Sequence, residues 1–441
     1  MITTGKYDQP SVAASVDRSA AERPILAASL DIRAAGPRCR LLLGDLDGDG
    51  RMELVFVQPD GRQDVRHIPH QVGAVTAFDL DGRLLWQAGR SSPDAGGPGS
   101  DYPAQIVDCD GDGRFEVMCV MAGRLLALDG QTGRAKACLP LPAPQAHDCI
   151  IPADLTGRGY CGEWLLKDRY RNVWAMDDSG RVLWHHEGNP GHYPWAFDLD
   201  GDGRDEVIAG YTLLDHDGRP LWTCDGLTGH ADCIWVGDVN GDGEPEIAIG
   251  GSAVVLCDRH GRELWRYEGA VEPQHLALGR FRPELPGLQI AGVDRIVRED
   301  DGRDFAGRDA LFLLDDDGHL LWKEDRATPG WLTIMEPLSG WAEDAPDFMF
   351  AYRRGGEVLP ALYDGFGRAV CAFPLDGYAA HADLAGTGLT QVVLYNDETA
   401  AVFASRQVRM NARPGAGPLP QPKRLSHSTL YPGGEVRQSA L

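Results

Sequence analysis

The chain lacks what a membrane or nucleic-acid partner would need. No apolar run approaches the roughly 20 residues that span a bilayer. The N-terminal stretch MITTGKYDQPSVAASVDRSAAERP has no apolar core behind a basic start. A secretory leader is therefore not expected, which points to the cytoplasm, or to the exterior if the N-terminus has been processed. Positive charge is scarce: 42 Lys and Arg stand against 66 Asp and Glu, a formal charge of -24. That excludes binding to nucleic acid or anionic lipid through the whole surface, and it suits cation binding. The ten cysteines are scattered singly with no CxxC pair. Cys109, Cys119, Cys149, Cys233 and Cys257 sit in apolar stretches and read as buried free thiols of a reducing compartment. Long helices are not expected either, because 55 Gly and 29 Pro punctuate the 441 residues into short runs.

What the chain does have is a repeat, and repeats decide the architecture before anything else. One half is an acidic loop, Asp45-Leu-Asp-Gly-Asp-Gly-Arg-Met-Glu53. It recurs at Asp108 to Glu116, at Asp198 to Glu206, and as Asp238-Val-Asn-Gly-Asp-Gly-Glu-Pro-Glu246. The other half is a short apolar strand, an Asp-Gly type turn and a strand ending in Leu-Trp. It reads DGRLLW to Trp86, SGRVLW to Trp184, DGRPLW to Trp222, HGRELW to Trp265 and DGHLLW to Trp322, with weaker copies at 128–138 and 363–373. Each unit is thus strand, acidic loop, strand, variable loop, strand, tight turn, strand. Four antiparallel strands repeated at this interval predict an all-β fold, a single β-propeller. Innermost strands are expected to begin near Leu41, Ile106, Ile150, Trp195, Ile234, Leu276, Leu332 and Ala380. That makes eight blades, or seven if the 331–373 unit is irregular. The last unit supplies three strands, and ILAASLDI at 25–32 is expected to supply its fourth, closing the ring and removing an open edge. Residues 1–24 read as a tail, 25–405 as the propeller, and 406–441 as an extended segment or surface wrap.

The acidic loops carry carboxylates at positions 1, 3, 5 and 9, a backbone carbonyl at 7 and a glycine at 6 that permits the sharp turn. This is the oxygen-ligand logic of a shortened calcium loop. The expected ligands are Asp45, Asp47, Asp49 and Glu53; Asp108, Asp110, Asp112 and Glu116; Asp198, Asp200, Asp202 and Glu206; and Asp238, Asn240, Asp242 and Glu246. Structural Ca2+ at several sites is the expectation, with magnesium as the alternative in a calcium-poor cytosol. The copies from Asp154, Gly279 and Asp383 have lost most carboxylates and read as plain turns.

The DxDGDGxxE loops, the DGxxLW strands and the segment GHYPWAFDLDGDGRDEVIAGYTLLDHDGRPLW together resemble the FG-GAP-like propellers of polysaccharide lyases. The families concerned are the rhamnogalacturonan lyases, with eight blades, and the rhamnose–glucuronate lyases. The resemblance covers about residues 25–405. It implies a calcium-stabilised propeller and a lyase acting on an acidic polysaccharide. Integrin-type propellers share such calcium loops. The chain departs from rhamnogalacturonan lyases in lacking their extra β domains, and no catalytic residue is carried over from them.

In a propeller the acidic loops and Asp-Gly turns share one face, and the blade-to-blade connections share the other. On that second face stand Tyr102, His147, His192, Tyr193, His230 and His275, then Trp331 and Tyr378. The in-blade loops of the same face add His67, His70, Arg169, Arg171 and Tyr211. Each has a plainer role as a hydrogen-bonded structural residue, and of Tyr193 and Trp195 one is expected in the core. Position favours the histidines: His147, His192 and His230 begin consecutive blades. Three imidazoles there suit an additional divalent metal in the central channel, or acid/base work.

The chemistry that fits is β-elimination on a uronate. A cation neutralises the carboxylate, a base takes the C5 proton and an acid protonates the oxygen leaving C4. His192, His230, His147, Arg169, Arg171, Tyr211, His67 and His70 are the catalytic candidates. Tyr102, Tyr193, His275, Trp331 and Tyr378 are the sugar-binding ones. The partner is an acidic oligosaccharide or polysaccharide, with no nucleic acid and no membrane, and a monomer is expected. Hydrolysis ranks lower, because it wants two facing carboxylates outside the metal loops. An eight-bladed quinoprotein ranks lower still, since only ALDGQTGRAKAC suggests it. The competing class is a non-enzymatic propeller that binds a glycan or protein. It is separated from the enzyme by whether the His, Arg and Tyr side chains meet in one pocket.

Overall fold

The apolar runs pair as the repeat requires. The computed structural model describes residues 22–62, 69–97, 99–296, 308–327, 332–353, 359–408 and 428–436. In it each unit is a four-stranded antiparallel sheet, and there are eight. Blade 1 comprises Arg40–Gly44, Glu53–Pro59, Val72–Phe78 and Leu84–Gly89. The first strands of blades 2 to 8 are Ala104–Val107, Ile150–Ala153, Trp195–Phe197, Cys233–Gly237, Pro273–Gly279, Leu332–Leu338 and Tyr378–Ala382. These first strands follow one another around the axis of the ring. The 331–373 unit is regular, with strands Leu332–Leu338, Phe348–Arg353, Ala361–Tyr363 and Ala369–Ala372, so the count is eight rather than seven. Among the described residues the only helical element is the short turn Arg33–Ala35.

Closure uses the N-terminal strand. Ile25–Asp31 pairs antiparallel with Thr399–Ala404, from Ile25 opposite Ala404 to Asp31 opposite Thr399. The core lies in the seams between blades. Leu41, Leu54 and Phe56 of blade 1 pack on Val393, Tyr395 and Val402 of blade 8. Burial falls off outward: Arg40–Gly44 is wholly buried, whereas in Leu84–Gly89 only Trp86 is.

The Leu-Trp ending explains how neighbouring blades are stitched. The Trp86 indole N–H donates to Gly130 O at 2.7 Å in the turn of blade 2. Trp184, Trp222, Trp265 and Trp322 do the same to His216, Arg259, Asp316 and Gly365 of the next blade, at 2.8–3.0 Å. The ring packs against the turn glycine. At Gly218 (φ 84°) a Cβ would stand 2.6 Å from Trp184. The Gly therefore answers both the left-handed backbone and the approach of the tryptophan.

The C-terminal segment is not confined to the surface. Gly434–Val436 pairs in parallel with Cys233–Gly237, on the inner edge of blade 5. Residues 428–431 fasten to the connection before blade 2: Tyr102 N–H donates to Ser428 O and Leu430 N–H to Ser100 O, each at 2.8 Å. Residues 428–436 thus lie inside the ring, against the first strands.

Candidate functional site

The four acidic loops share one scaffold. In the first, Asp45 accepts the N–H groups of Gly48 and Gly50 at 2.9 and 3.1 Å, and Glu53 accepts that of Leu46 at 2.7 Å. Asp108 with Glu116, Asp198 with Glu206 and Asp238 with Glu246 repeat the pattern. The backbone thereby gathers the carboxylates. One oxygen each of Asp45, Asp47 and Glu53 lies within 4.8 Å of the other two, as do those of Asp108, Asp110 and Glu116, and of Asp198, Asp200 and Glu206. In the fourth loop the Asn240 amide donates to Asp242 and Glu246 at 3.1 and 3.0 Å. Burial pushes the Glu53 carboxyl up to about 8, and Glu206 and Glu246 to about 7; neighbouring carboxylates add to the rise and the backbone N–H bonds oppose it. Carboxylates held together against this cost fit a divalent cation as the missing charge.

On the opposite face the connections before blades 4 and 5 bring His192 and His230 together, with ring centroids 4.8 Å apart. Asp232 completes the group. Its Oδ1 is buried without a hydrogen bond, 3.7 Å from His192 Nε2 and 3.5 Å from His230 Nε2. One ligand atom from each of the three lies within 4.8 Å of the others. Two imidazole nitrogens and a carboxylate oxygen aimed at one point fit a divalent cation. His192 is clamped. Tyr431, from the C-terminal segment, stacks on it at 3.5 Å and 12°, Asp101 Oδ2 lies 3.9 Å from its Nδ1, and Tyr170 Oη is 3.3 Å from its Nε2. The Tyr170 ring also lies 4.9 Å from that of His230. Burial, with Tyr431 adding to it, holds the Tyr170 hydroxyl above the usual phenol range, so it stays protonated. His192 is 4% exposed, whereas the His230 side chain is 31% exposed, so the cluster opens toward solvent on the His230 side.

The other candidates part company with this cluster. His147 is buried, with Nδ1 3.3 Å from His70 O, and burial pushes its imidazole down. It does not join His192 and His230 as a third imidazole; Asp232 stands there instead. His70 is also interior, bonded to Gly97 O with Asp60 3.5 Å from its Nδ1. Arg169 is not a free carboxylate-binding fork. Its Nε and Nη2 donate to Asp148 at 3.0 and 2.8 Å, and the buried Lys167 ammonium bonds the other oxygen of the same carboxylate. Arg171 is exposed beside this triad, and its N–H donates to Asp168 at 2.8 Å. Tyr211 positions rather than reacts: its hydroxyl donates to His230 O at 2.9 Å and accepts Ser252 N–H at 3.2 Å. Tyr102, Tyr193 and His275 were expected to bind sugar, but all three are interior. The Tyr102 hydroxyl donates to Arg38 O at 2.7 Å, Tyr193 donates to Ile150 O at 3.3 Å, and His275 lies parallel to Tyr431 at 5.6 Å. Tyr378 is half-buried under the Arg40 guanidinium, 4.3 Å away. His67 and Trp331 lie outside the described residues.

Sequence reasoning missed Tyr170, Asp232, Asp101 and Tyr431. Asp232 had a signal: in His230-Ala-Asp232 the period-two geometry of extended chain puts both side chains on one side. Tyr170 stood between two arginines that drew attention instead. Tyr431 belongs to no repeat, and only the folded ring shows where it goes.

No family model matches the chain. The rhamnogalacturonan exolyase YesX of Bacillus subtilis (strain 168) is 27% identical over 262 residues, covering 45% of this chain and 42% of YesX. The rhamnogalacturonan endolyase YesW of the same organism is 25% identical over 269 residues, covering 47% and 42%. The matched stretch spans less than half the length of either relative. The crystal structure of YesW superposes with a TM-score of 0.57 at 18% identity, over 89% of this chain and 76% of YesW. The V. cholerae biofilm matrix protein Bap1 superposes with a TM-score of 0.55 at 13% identity, over 94% and 96%, a likeness of fold alone. The curated neighbours are rhamnogalacturonan lyases, as the acidic loops and Leu-Trp strands had suggested, and this chain shares the β-propeller fold with the solved ones.

Proposed function

We propose that the protein is a polysaccharide lyase that cleaves a uronate-containing glycan by β-elimination at the mouth formed by blades 3 to 5. The observation that carries this reading is the meeting of His192, His230, Asp232 and Tyr170 at one point that opens to solvent. Sequence similarity to rhamnogalacturonan lyases supports the reaction class and an acidic, pectin-type substrate.

His192, His230 and Asp232 would hold a divalent cation, which when bound supplies the positive charge that lets the carbon acid beside a uronate carboxylate ionise. Elimination transfers the C5 proton to water on the open His230 side of the cluster, breaks the C4–O4 bond and leaves a C4–C5 double bond, and the departing oxygen takes up a proton. Tyr170, kept protonated by burial and beside the open edge of the cluster, is the donor we assign to that oxygen. Tyr211 keeps the His230 backbone in place through the hydroxyl bond to its carbonyl. Structural Ca2+ in the acidic loops on the far face would hold the first two strands of their blades together without entering the reaction.

The test is the ultraviolet absorbance of unsaturated uronate products, screened over a panel of acidic oligosaccharides. Product from wild type and none from His230→Ala or Asp232→Asn, with both variants folded, supports the assignment. Reversible glycan binding with no unsaturated product on any uronate would replace it with the binding-module reading.

A further inference from the structure

The four acidic loops are alike in sequence, yet one of them already contains a cation. Lys136, on the outermost strand of blade 2 (Ala135–Pro140), reaches into the loop of its own blade. Its ammonium lies 2.6 Å from Asp110 Oδ2, 2.7 Å from Glu116 Oε1 and 3.8 Å from Asp112 Oδ2. The repeat shows that this is particular to blade 2. Strand register puts Lys136 where the other repeat-built blades have Leu85, Leu183, Leu221, Leu264, Leu321 and Val370. Six units put an aliphatic side chain there and one puts a charge.

Blade 3 shows the same solution by another route. Its degenerate loop has Arg158 where the intact loops have their third aspartate. The Arg158 guanidinium lies 3.3 Å from Glu163, the last carboxylate of that loop.

We propose that Lys136 is a built-in replacement for the divalent ion in the loop Asp108–Glu116, so that blade 2 is neutralised from within and takes no such ion, unlike blades 1, 4 and 5. The inference rests on the calcium reading of the other loops. A calcium ion needs six to eight oxygens at 2.3–2.6 Å. Here two of the ligand carboxylates are bonded to an ammonium, which repels a second cation. Ion dependence then falls on blades 1, 4 and 5, of which 4 and 5 carry His192 and His230.

The experiment counts bound calcium by elemental analysis after dialysis, with calorimetric titration, for wild type, Asp108→Ala, Lys136→Leu and the double variant. Leucine is what most of the other blades carry at this place. Asp108→Ala is expected to leave the count unchanged. Lys136→Leu should bind one equivalent more than wild type, and the double variant should return to the wild-type count. In chelator Lys136→Leu should melt below wild type and recover with calcium, a readout available even if the variant folds only with the ion. Loss of an equivalent in Asp108→Ala, or no gain in Lys136→Leu, overturns the proposal. Asp198→Ala is the control that separates the two readings. If it too loses nothing and wild type takes up no calcium, the calcium reading of the loops falls, and the Lys136→Leu count alone then decides this proposal.

Discussion

Replacing Tyr170 by phenylalanine removes one oxygen and keeps the ring, so it separates chemistry from packing at the mouth. The ring contacts with His192 at 5.5 Å and with His230 at 4.9 Å survive. What is lost is one hydroxyl contact to His192 Nε2, at 3.3 Å the long end of the hydrogen-bond range. A bond of that kind contributes about 1 kcal/mol or less to folding. A proton donor in the transition state contributes far more, about 10²–10⁴ in rate, or roughly 3–5 kcal/mol of barrier. Tyr170→Phe is therefore expected to unfold within a few degrees of wild type and to lose about 10²–10⁴ in kcat/KM. Because the group acts only as the bond to the leaving oxygen breaks, the loss should fall on kcat with KM little changed. The assay is initial-rate formation of unsaturated uronate, with thermal melting as the control. A folded variant with wild-type kcat/KM refutes the assignment. A variant that melts early and loses activity in proportion would make Tyr170 a packing residue.

Three further outcomes follow from the fold and the loops. Chelator should lower the melting temperature, and Asp198→Ala should remove most of one ion's share, about 2.7 kcal/mol when calcium stands 100-fold above its Kd, by mass action; identical melting curves with and without chelator would mean the loops are turns and nothing more. Deleting the chain through Asp31 should abolish cooperative unfolding, because the partner of Thr399–Ala404 goes with it; a stable, cooperatively melting truncation would disprove closure by that strand. In chelator the protein should lose stability as pH rises from 5 to 8, as read from denaturant midpoints: Glu53, Glu206 and Glu246 have folded pKa values raised to about 8, 7 and 7, so over that window the folded state binds more protons than the unfolded one and stability falls as they leave. With calcium present the slope should flatten, and a chelated protein most stable at pH 8 would contradict the burial of these carboxyls.

The propeller was legible because its determinants are local and repeated. An Asp-Gly turn, a Leu-Trp ending and an acidic loop each fix a few residues of backbone, and four acidic loops with five Leu-Trp endings make the period plain. Each predicted first strand starts within three residues of its observed start, from Trp195 with no offset to Leu276, where the strand begins at Pro273. The mouth was legible only in part, because its determinants are not repeated. Position in the repeat found His192 and His230, since the first residues of a blade line the axis. It could not tell that His147 turns to His70 while Asp232 turns to the imidazoles, because that depends on which way each connection leaves the preceding blade. The aromatics were misjudged for a related reason. A connection between blades runs over the rim at some residues and turns into the packed seam between blades at others, and Tyr102 and Tyr193 are in the seams.

Charge at the mouth is where sequence and structure differ most, and it bears directly on how an anion could be held. Histidines and arginines on one face of an acidic protein suggest a basic mouth. In the folded ring the cations behind that mouth are already engaged. Lys167 and Arg169 converge on the buried Asp148, and Arg40 lies over the Tyr378 ring with its Nη2 bonded to Gly99 O at 3.4 Å. Removing one member of a buried triad leaves another uncompensated, so these groups are not free to turn toward a substrate. Asp101 and Asp232 add two buried carboxylates beside His192. A uronate approaching the His230 side therefore meets imidazoles backed by negative charge, not a field of guanidinium groups. Among the described residues, with only the exposed Arg171 left outside these pairings, positive charge at the cluster would come from a divalent ion held by His192, His230 and Asp232. Chelation should then abolish turnover at temperatures where the chelated protein is still folded; turnover that persists in the folded, metal-free protein would return the anion-binding role to the side chains themselves.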